Sequence, residues 1–334
     1  MSGPNESSSG NRITEHLLAG ASDVARARLR ECDSLPTEEQ KAMLRSLREL
    51  AADRPSVFDG LTPTLAGFLD DERSVRLLAV KLFGVIAEGA PDAVVPVVDA
   101  LADRLADDEE FYFVRARAAE ALGYVALADP EAVATPETLA ELRVGLSFDE
   151  PEVVVKLAKA LEHVALANPR RFRHQVAHLA THLDDEQTLV RYHLCTALVA
   201  IGCGQPAALA DGRAALIDRL GDENAFVRGR GAEALGLLAT ADETVSIPVD
   251  DLRSLLSDAN TFVVERARFA IDARTAAGAS SSTDPSTRLG TVRDATTEIA
   301  TEIRTPETDG DCQHCGLALP DSGPPMCPQC GAPR

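Results

Sequence analysis

With 334 residues, a formal net charge of −20, 4% aromatic residues and no tryptophan, the chain cannot build its core around large rings. Burial has to come from Leu, Val and Ala packed between helices with small faces. So acidic a chain also lacks the basic footprint that neutralises nucleic-acid phosphates, and nucleic acid is not an expected partner.

Residues 1–12 are rich in Ser, Gly and Asn and are expected to be disordered. Residues 1–6 have neither the basic nor the apolar stretch of a secretory leader. No uninterrupted apolar run approaches the ~18 residues of a membrane span. A cytoplasmic location is therefore expected. The cysteines agree: of seven, four stand in paired C-x2-C motifs, which fits a reducing compartment better than a disulfide framework. From Ile13 to Asp53 the chain reads as helical and holds an incomplete first repeat, with its second helix expected over residues 38–52.

Beyond this, one phrase recurs. The run from Phe113 to Gly123 (FVRARAAEALG) returns from Phe226 to Gly236 (FVRGRGAEALG), with nine of eleven positions identical. Aligned on it, the chain places valines at Val75, Val114, Val153, Val190, Val227 and Val263, spaced 39, 39, 37, 37 and 36 residues. Periods of this size mark stacked helix pairs. A second marker runs in step: Pro55, Pro91, Pro130, Pro169, Pro206 and Pro248 each open an apolar-periodic stretch ahead of the next valine. Proline is tolerated in a first helical turn, and Asp129 and Asn168 stand directly before theirs as N-caps. Each unit is thus expected to be two helices, the first starting at the proline. The second carries the valine phrase after a short acidic turn such as residues 70–72, 184–186 or 222–223.

Over residues 37–276 the tandem units resemble HEAT repeats, including the HEAT-like units of the phycobilisome lyase family. The resemblance implies an all-α, right-handed α-solenoid of helix pairs whose second helices line a concave surface. It also implies a ladder in which a turn carboxylate pairs with a basic residue about six positions on. Asp70 with Arg76, Asp185 with Arg191 and Asp222 with Arg228 match that pattern, and Val154 and Val264 interrupt it.

A cationic row points further toward function. Arg117, Lys156, Arg230 and Arg266 occupy equivalent places on successive second helices, with His193 filling the intervening one. On the surface the resemblance implies, they would form a groove for an acidic peptide segment. The alternative is that each cation pairs with the carboxylates of adjoining turns. His174, His178 and His182 follow Arg170, Arg171 and Arg173 on one expected helix, opposite the stripe of Phe172, Val176, Leu179 and Leu183, and are read as exposed. Such a set can chelate a metal, dock an anionic partner or face solvent. Cys32, Cys195 and Cys203 stand alone on apolar patterns and are read as core.

Residues 278–285 read as a flexible linker. After it, Leu289, Val292, Ile299 and Ile303 recur at near-heptad spacing, which predicts one amphipathic helix that caps the last repeat or pairs with another copy. Linker and helix together make up residues 277–311. In residues 312–334, Cys312 with Cys315 and Cys327 with Cys330 form two C-x2-C pairs eleven residues apart. Two residues between thiolates let both sulfurs meet one ion, and four thiolates close a tetrahedral site. Structural Zn2+ is therefore the expected ion, with an iron centre of rubredoxin type as the alternative. The segment resembles the short zinc ribbons at the ends of many archaeal proteins. Its apolar content, Leu317, Leu319 and Met326, is too small to fold without metal.

The acidity, and an excess of Arg over the four lysines, resemble proteins of halophilic archaea. In molar salt the Debye length falls to ~3 Å, so self-repulsion is screened while carboxylates keep the surface hydrated; the alternative is an acidic surface made for a basic partner. No phosphate-cradling glycine loop, Ser/His/Asp set or open metal site can be read in the chain. None of the seven histidines precedes a glutamate, as the iron ligands of the HEAT-repeat enzyme deoxyhypusine hydroxylase do. The expectation is a non-enzymatic adaptor in which the repeat domain of residues 13–276 faces protein partners and the ribbon is a second docking module. The alternative is an enzyme or enzyme accessory related to the HEAT-like bilin lyases.

Overall fold

The computed structural model describes residues 9–241, 245–275 and 285–304, and within them every regular element is an α-helix or a 3-10 turn. The four-cysteine segment and the predicted linker up to residue 284 lie outside the described residues. Among the described helices none is long and apolar enough to cross a membrane. The chain divides into two compact units, one of residues 1–149 with 159–167 and one of residues 150–158 with 168–334.

The first unit opens with α1 (Ser9–Leu18), α2 (Ser22–Cys32) and α3 (Thr37–Asp53). The helix α1 corrects the expectation of disorder through residue 12. It begins at Ser9 because Ile13 and Leu17 are buried and α1 packs on α3, and such packing, not propensity, holds most short helices. Residues 1–8 lie outside the described ones. The predicted second helix over 38–52 is α3, with Glu38 and Glu39 in its first turn where the helix dipole favours them. There follow α4 (Thr62–Leu65) with α5 (Arg73–Gly89), α6 (Val98–Ala106) with α7 (Tyr112–Ala128), and α8 (Pro130–Val133) and α9 (Pro136–Val144) with α10 (Pro151–Ala167), whose residues up to 158 belong to the second unit. The phrase helices α5, α7 and α10 are each 17 residues long, as is α3.

The prolines do not open continuous first helices. Pro55 and Pro91 begin 3-10 turns and Pro130 a four-residue helix, and a separate helix follows each. The cause lies in the residue before. A proline ring bars its predecessor from the α region, and Arg54, Ala90 and Asp129 take φ of −141, −147 and −127° with ψ of 66, 67 and 84°. Their N–H groups still close the preceding helix on the carbonyls of Leu50, Ile86 and Val125. Each proline therefore stops one second helix and turns the chain into the next repeat. Asp129 caps as predicted, accepting a bond from the Ala132 amide at 3.2 Å.

The second unit holds α11 (Val176–Ala180) with α12 (Thr188–Gly204), α13 (Arg213–Asp218) with α14 (Ala225–Ala241), α15 (Val249–Ser254) with α16 (Thr261–Thr275), and finally α17 (Pro285–Arg304). The proline joint returns at Asn168 and Gln205, with φ of −142 and −149°. Asn168, expected as an N-cap, makes no side-chain cap bond, although Asp129 at the same kind of joint does. The predicted amphipathic helix is α17. Its principal neighbour is α12, two phrase helices before the last, and Val292, Thr296, Ile299 and Ala300 are buried.

All six phrase valines are fully buried. The phrase's closing glycine has its own purpose. A Cβ on Gly123 would fall 2.9 Å from the Cα of Ala160, and one on Gly236 would fall 2.9 Å from the Cα of Ala270. Only a hydrogen there lets consecutive phrase helices come so close.

The predicted ladder exists in altered form. Arg76 donates to Glu110 at 2.7 Å, Arg191 to Asp222 at 2.8 and 3.1 Å, and Arg228 to Asp258 at 2.9 and 2.7 Å. Each arginine thus takes the carboxylate of the following turn, not the one six residues before it. Nη1 of Arg191 instead bonds the carbonyls of Asp185 and Glu186, and Nη1 of Arg228 those of Asp222 and Glu223. A guanidinium with five fixed donors ties its own turn to the next. Arg115 donates to the Leu105 carbonyl and stacks on Phe148.

Candidate binding faces of the phrase helices

In the first unit, Arg117 is half-buried and donates to Glu120 at 2.7 Å, one turn along α7. Two turns along α7, the Tyr124 hydroxyl accepts from Lys159 at 2.6 Å and donates to Glu88 at 2.8 Å. The Lys159 ammonium also lies 4.6 Å from the Tyr124 ring centroid, where the ring face attracts a cation. Lys159, Tyr124 and Glu88 stand on α10, α7 and α5, so a polar chain steps across three consecutive phrase helices. Glu88 is exposed, whereas Lys159 and Tyr124 are half-buried.

In the second unit, Lys156 is half-buried on the first half of α10. His193 and Arg230, expected on an open face, are buried, at 1% and 0% exposure. The Arg230 guanidinium lies 5.8 Å from the Tyr192 ring centroid and 5.3 Å from that of Phe262. Its Nη1 donates to Glu233 at 2.8 Å, while Nε and Nη2 meet no acceptor among the described residues. Burial disfavours its charge, but Glu233 and Tyr192 outweigh that and hold the guanidinium proton more tightly than usual. Arg266 stacks on Phe262 at 3.8 Å, donates to Glu265 at 2.9 Å and approaches Glu233 at 3.9 Å. Burial, with the neighbouring Arg230 adding to it, pulls the Arg266 guanidinium below its ordinary range despite Glu233. Arg117 and Arg230 thus each meet a carboxylate of their own helix, not of adjoining turns. The Arg-x-x-Glu spacing inside the repeated phrase was the signal for this.

The histidine cluster is less regular than predicted. Only Val176–Ala180 is helical, so His174 precedes α11 and His182 follows it. His174 is exposed and accepts from Arg173 at 2.7 Å, while His178 and His182 are half-buried with ring centroids 5.1 Å apart. Burial and the nearby His178 lower the basicity of His182. Among the described residues no cluster of His, Cys, Asp and Glu is arranged to hold a metal. Cys32, Cys195 and Cys203 are buried and free, as expected, and burial pushes the thiols of Cys195 and Cys203 up to about 12.

No protein-family model matches this chain, and no curated protein matches it either. Solved structures do. An engineered protein is 21% identical over 64% of this chain and 96% of its own, with a TM-score of 0.57. A designed armadillo repeat protein is 19% identical over 64% of this chain and 99% of its own, with a TM-score of 0.56. A second designed armadillo repeat protein, solved in complex with the peptide (KR)4, is 20% identical over 64% of this chain and 98% of its own, with a TM-score of 0.54. These likenesses establish an all-α helical repeat fold similar to that of armadillo repeat proteins.

Proposed function

We propose that this chain is a non-enzymatic scaffold whose phrase-helix faces bind segments of partner proteins. The observation that carries the reading is the chain from Lys159 through Tyr124 to Glu88, flanked by Arg117. It is a band of half-buried and exposed polar groups on consecutive repeats, organised by mutual hydrogen bonds. Preorganised polar and aromatic groups of this kind suit recognition of an extended segment at low entropic cost. One structurally similar designed protein is in complex with a peptide, which agrees with a repeat surface used this way. The partner segment is acidic and engages Arg117 and Lys159 in the first unit, while Lys156 and Arg266, both half-buried, are candidates for a like role within the second. Arg230 and His193 contribute by fixing the packing beneath. Cys312, Cys315, Cys327 and Cys330 hold structural Zn2+ in a ribbon that serves as a second docking module, tethered so that both modules gain effective concentration.

The test is a titration of the intact chain with a fluorescent Glu/Asp octapeptide and, separately, with a Lys/Arg octapeptide. Reversing Arg117 and Lys159 to Glu should weaken the acidic peptide by at least ten-fold, and Arg230 is left unchanged because reversing a fully buried cation beside Glu233 would unfold the helix pair. Equal binding by wild type and the reversed chain rejects the acidic-segment reading. Preference for the basic peptide keeps the scaffold and inverts its charge sense.

A further inference from the structure

The helix α12 differs from its counterparts. Between Thr188 and Gly204 it carries no carboxylate and no fixed cation except Arg191, which belongs to the ladder, and every residue from Val190 to Cys203 is buried. A helix that is apolar all round needs cover on every side. At the phrase positions where α7 carries Arg117, Glu120 and Tyr124, α12 has His193, Thr196 and Ala200, a strip with no carboxylate and no arginine or lysine.

The cover is α17, whose Val292, Thr296, Ile299 and Ala300 are buried and whose Thr296 hydroxyl lies 3.2 Å from that of Tyr192. Seat and occupant are unequal. α17 has five threonines and Gly290 among its 20 residues, a composition with poor intrinsic helicity. At one end of its seat an open cleft of about 260 Å³ is lined by Glu233, Glu265, Arg266 and Phe269 on one side and Arg288, Thr291 and Val292 on the other, with Thr291 exposed at its edge. At that end the Arg288 guanidinium lies 4.0 Å from the Phe269 ring centroid.

We infer that the face formed by α12, α14 and α16 is a docking site for an amphipathic helix of a partner protein, and that α17 occupies it in the free chain as an internal stand-in. The partner helix repeats the spacing of Val292, Thr296 and Ile299 with larger apolar groups toward the cavity. It carries a basic residue one turn earlier, over Phe269 and beside Glu233 and Glu265. This deepens the scaffold reading at a face separate from the Arg117 band. Tethering gives α17 a high local concentration, so a better-fitting helix competes against a weak but always present occupant.

The probe is a fluorescein-labelled peptide of residues 285–304 with Thr291→Leu, titrated into the full chain. It should bind at least ten-fold more tightly than the unsubstituted peptide, and Arg288→Glu in the peptide should remove that gain. In the full chain, Ile299→Asp should unseat α17 and raise peptide affinity at least ten-fold again. Arg117→Glu should leave this affinity unchanged, so the two binding readings fail separately. Unchanged or weaker binding to the Ile299→Asp chain overturns the inference. Loss of its repeat helicity by circular dichroism overturns it too, because α17 would then be an integral part of the core. Hydrogen exchange on the unsubstituted chain supplies the independent check: amides of α17 should exchange through an opening that leaves α12 protected, and joint exchange of the two helices contradicts the inference.

Discussion

Arg230 and Glu233, three residues apart on α14, form an ion pair in which the arginine side chain is fully buried and the Nη1 to Oε2 distance is 2.8 Å. Removing one partner of a buried pair strands the other charge, at a cost of about 3–5 kcal/mol, whereas replacing both by apolar groups is often neutral. Arg230→Met should therefore destabilise the chain by about that amount in urea unfolding. The double change Arg230→Met with Glu233→Leu should recover most of the loss, a coupling that a double-mutant cycle reads directly.

The ladder should be graded by burial. Arg191 and Asp222 are 7% and 2% exposed at the side chain, whereas Arg228 and Asp258 are 19% and 10% exposed. Asp222→Ala is expected to cost about 3 kcal/mol, because Arg191 and Arg219 both lose it and Arg191 keeps only the exposed carboxylate of Glu223, and Asp258→Ala nearer 1–2 kcal/mol, where water can reach the freed guanidinium. Equal costs in chemical unfolding would show that burial does not set the strength of these rungs.

Alkaline pH should weaken the fold through its buried thiols. Cys195 and Cys203 titrate at about 12 in the folded chain, against about 8.5 for a free thiol. Between these values the unfolded chain releases protons that the folded chain keeps, so stability is full below about pH 8.5 and falls as pH rises toward 12, by about 1.4 kcal/mol per pH unit per thiol. Measured between pH 9 and 11, the Cys195→Ala chain should lose less stability than wild type. At pH 8 neither thiol should react with iodoacetamide while the chain is folded.

Metal content should follow the cysteine pairs. The purified chain is expected to hold one equivalent of zinc, and Cys327→Ser should release it while the circular dichroism of the repeat helices is unchanged. Bound iron with visible absorbance would replace zinc by the rubredoxin-type alternative.

Much of the fold was legible because stacking imposes a period. Val75 through Val263 had to return to the same buried place, and the closing glycine of the phrase had to meet Ala160 or Ala270 at close range. The broken first helices were less legible, since the conformational restriction acts on the residue before each proline and not on the proline itself. The site was legible only in part. Arg-x-x-Glu in the phrase announced the pairing of Arg117 and Arg230, but the depth of Arg230 depends on Tyr192 and Phe262, which belong to neighbouring repeats. The link from Lys159 through Tyr124 to Glu88 joins residues 35 and 36 positions apart that follow no pattern repeated elsewhere. The stripe on α17 revealed a helix that needs a partner but not its seat on α12, two phrase helices before the last.

Whether the Arg117 and Tyr124 face receives a partner segment is read at the contact itself by the NMR signal of the Tyr124 ring. With three tyrosines in the chain, selective labelling and a Tyr124→Phe control assign it. Titration with the acidic octapeptide is predicted to shift the Tyr124 resonance saturably, at a concentration that rises at least ten-fold in the Arg117→Glu chain. A Tyr124 resonance that stays fixed while the peptide binds, or that shifts alike in both chains, would mean that the segment docks elsewhere.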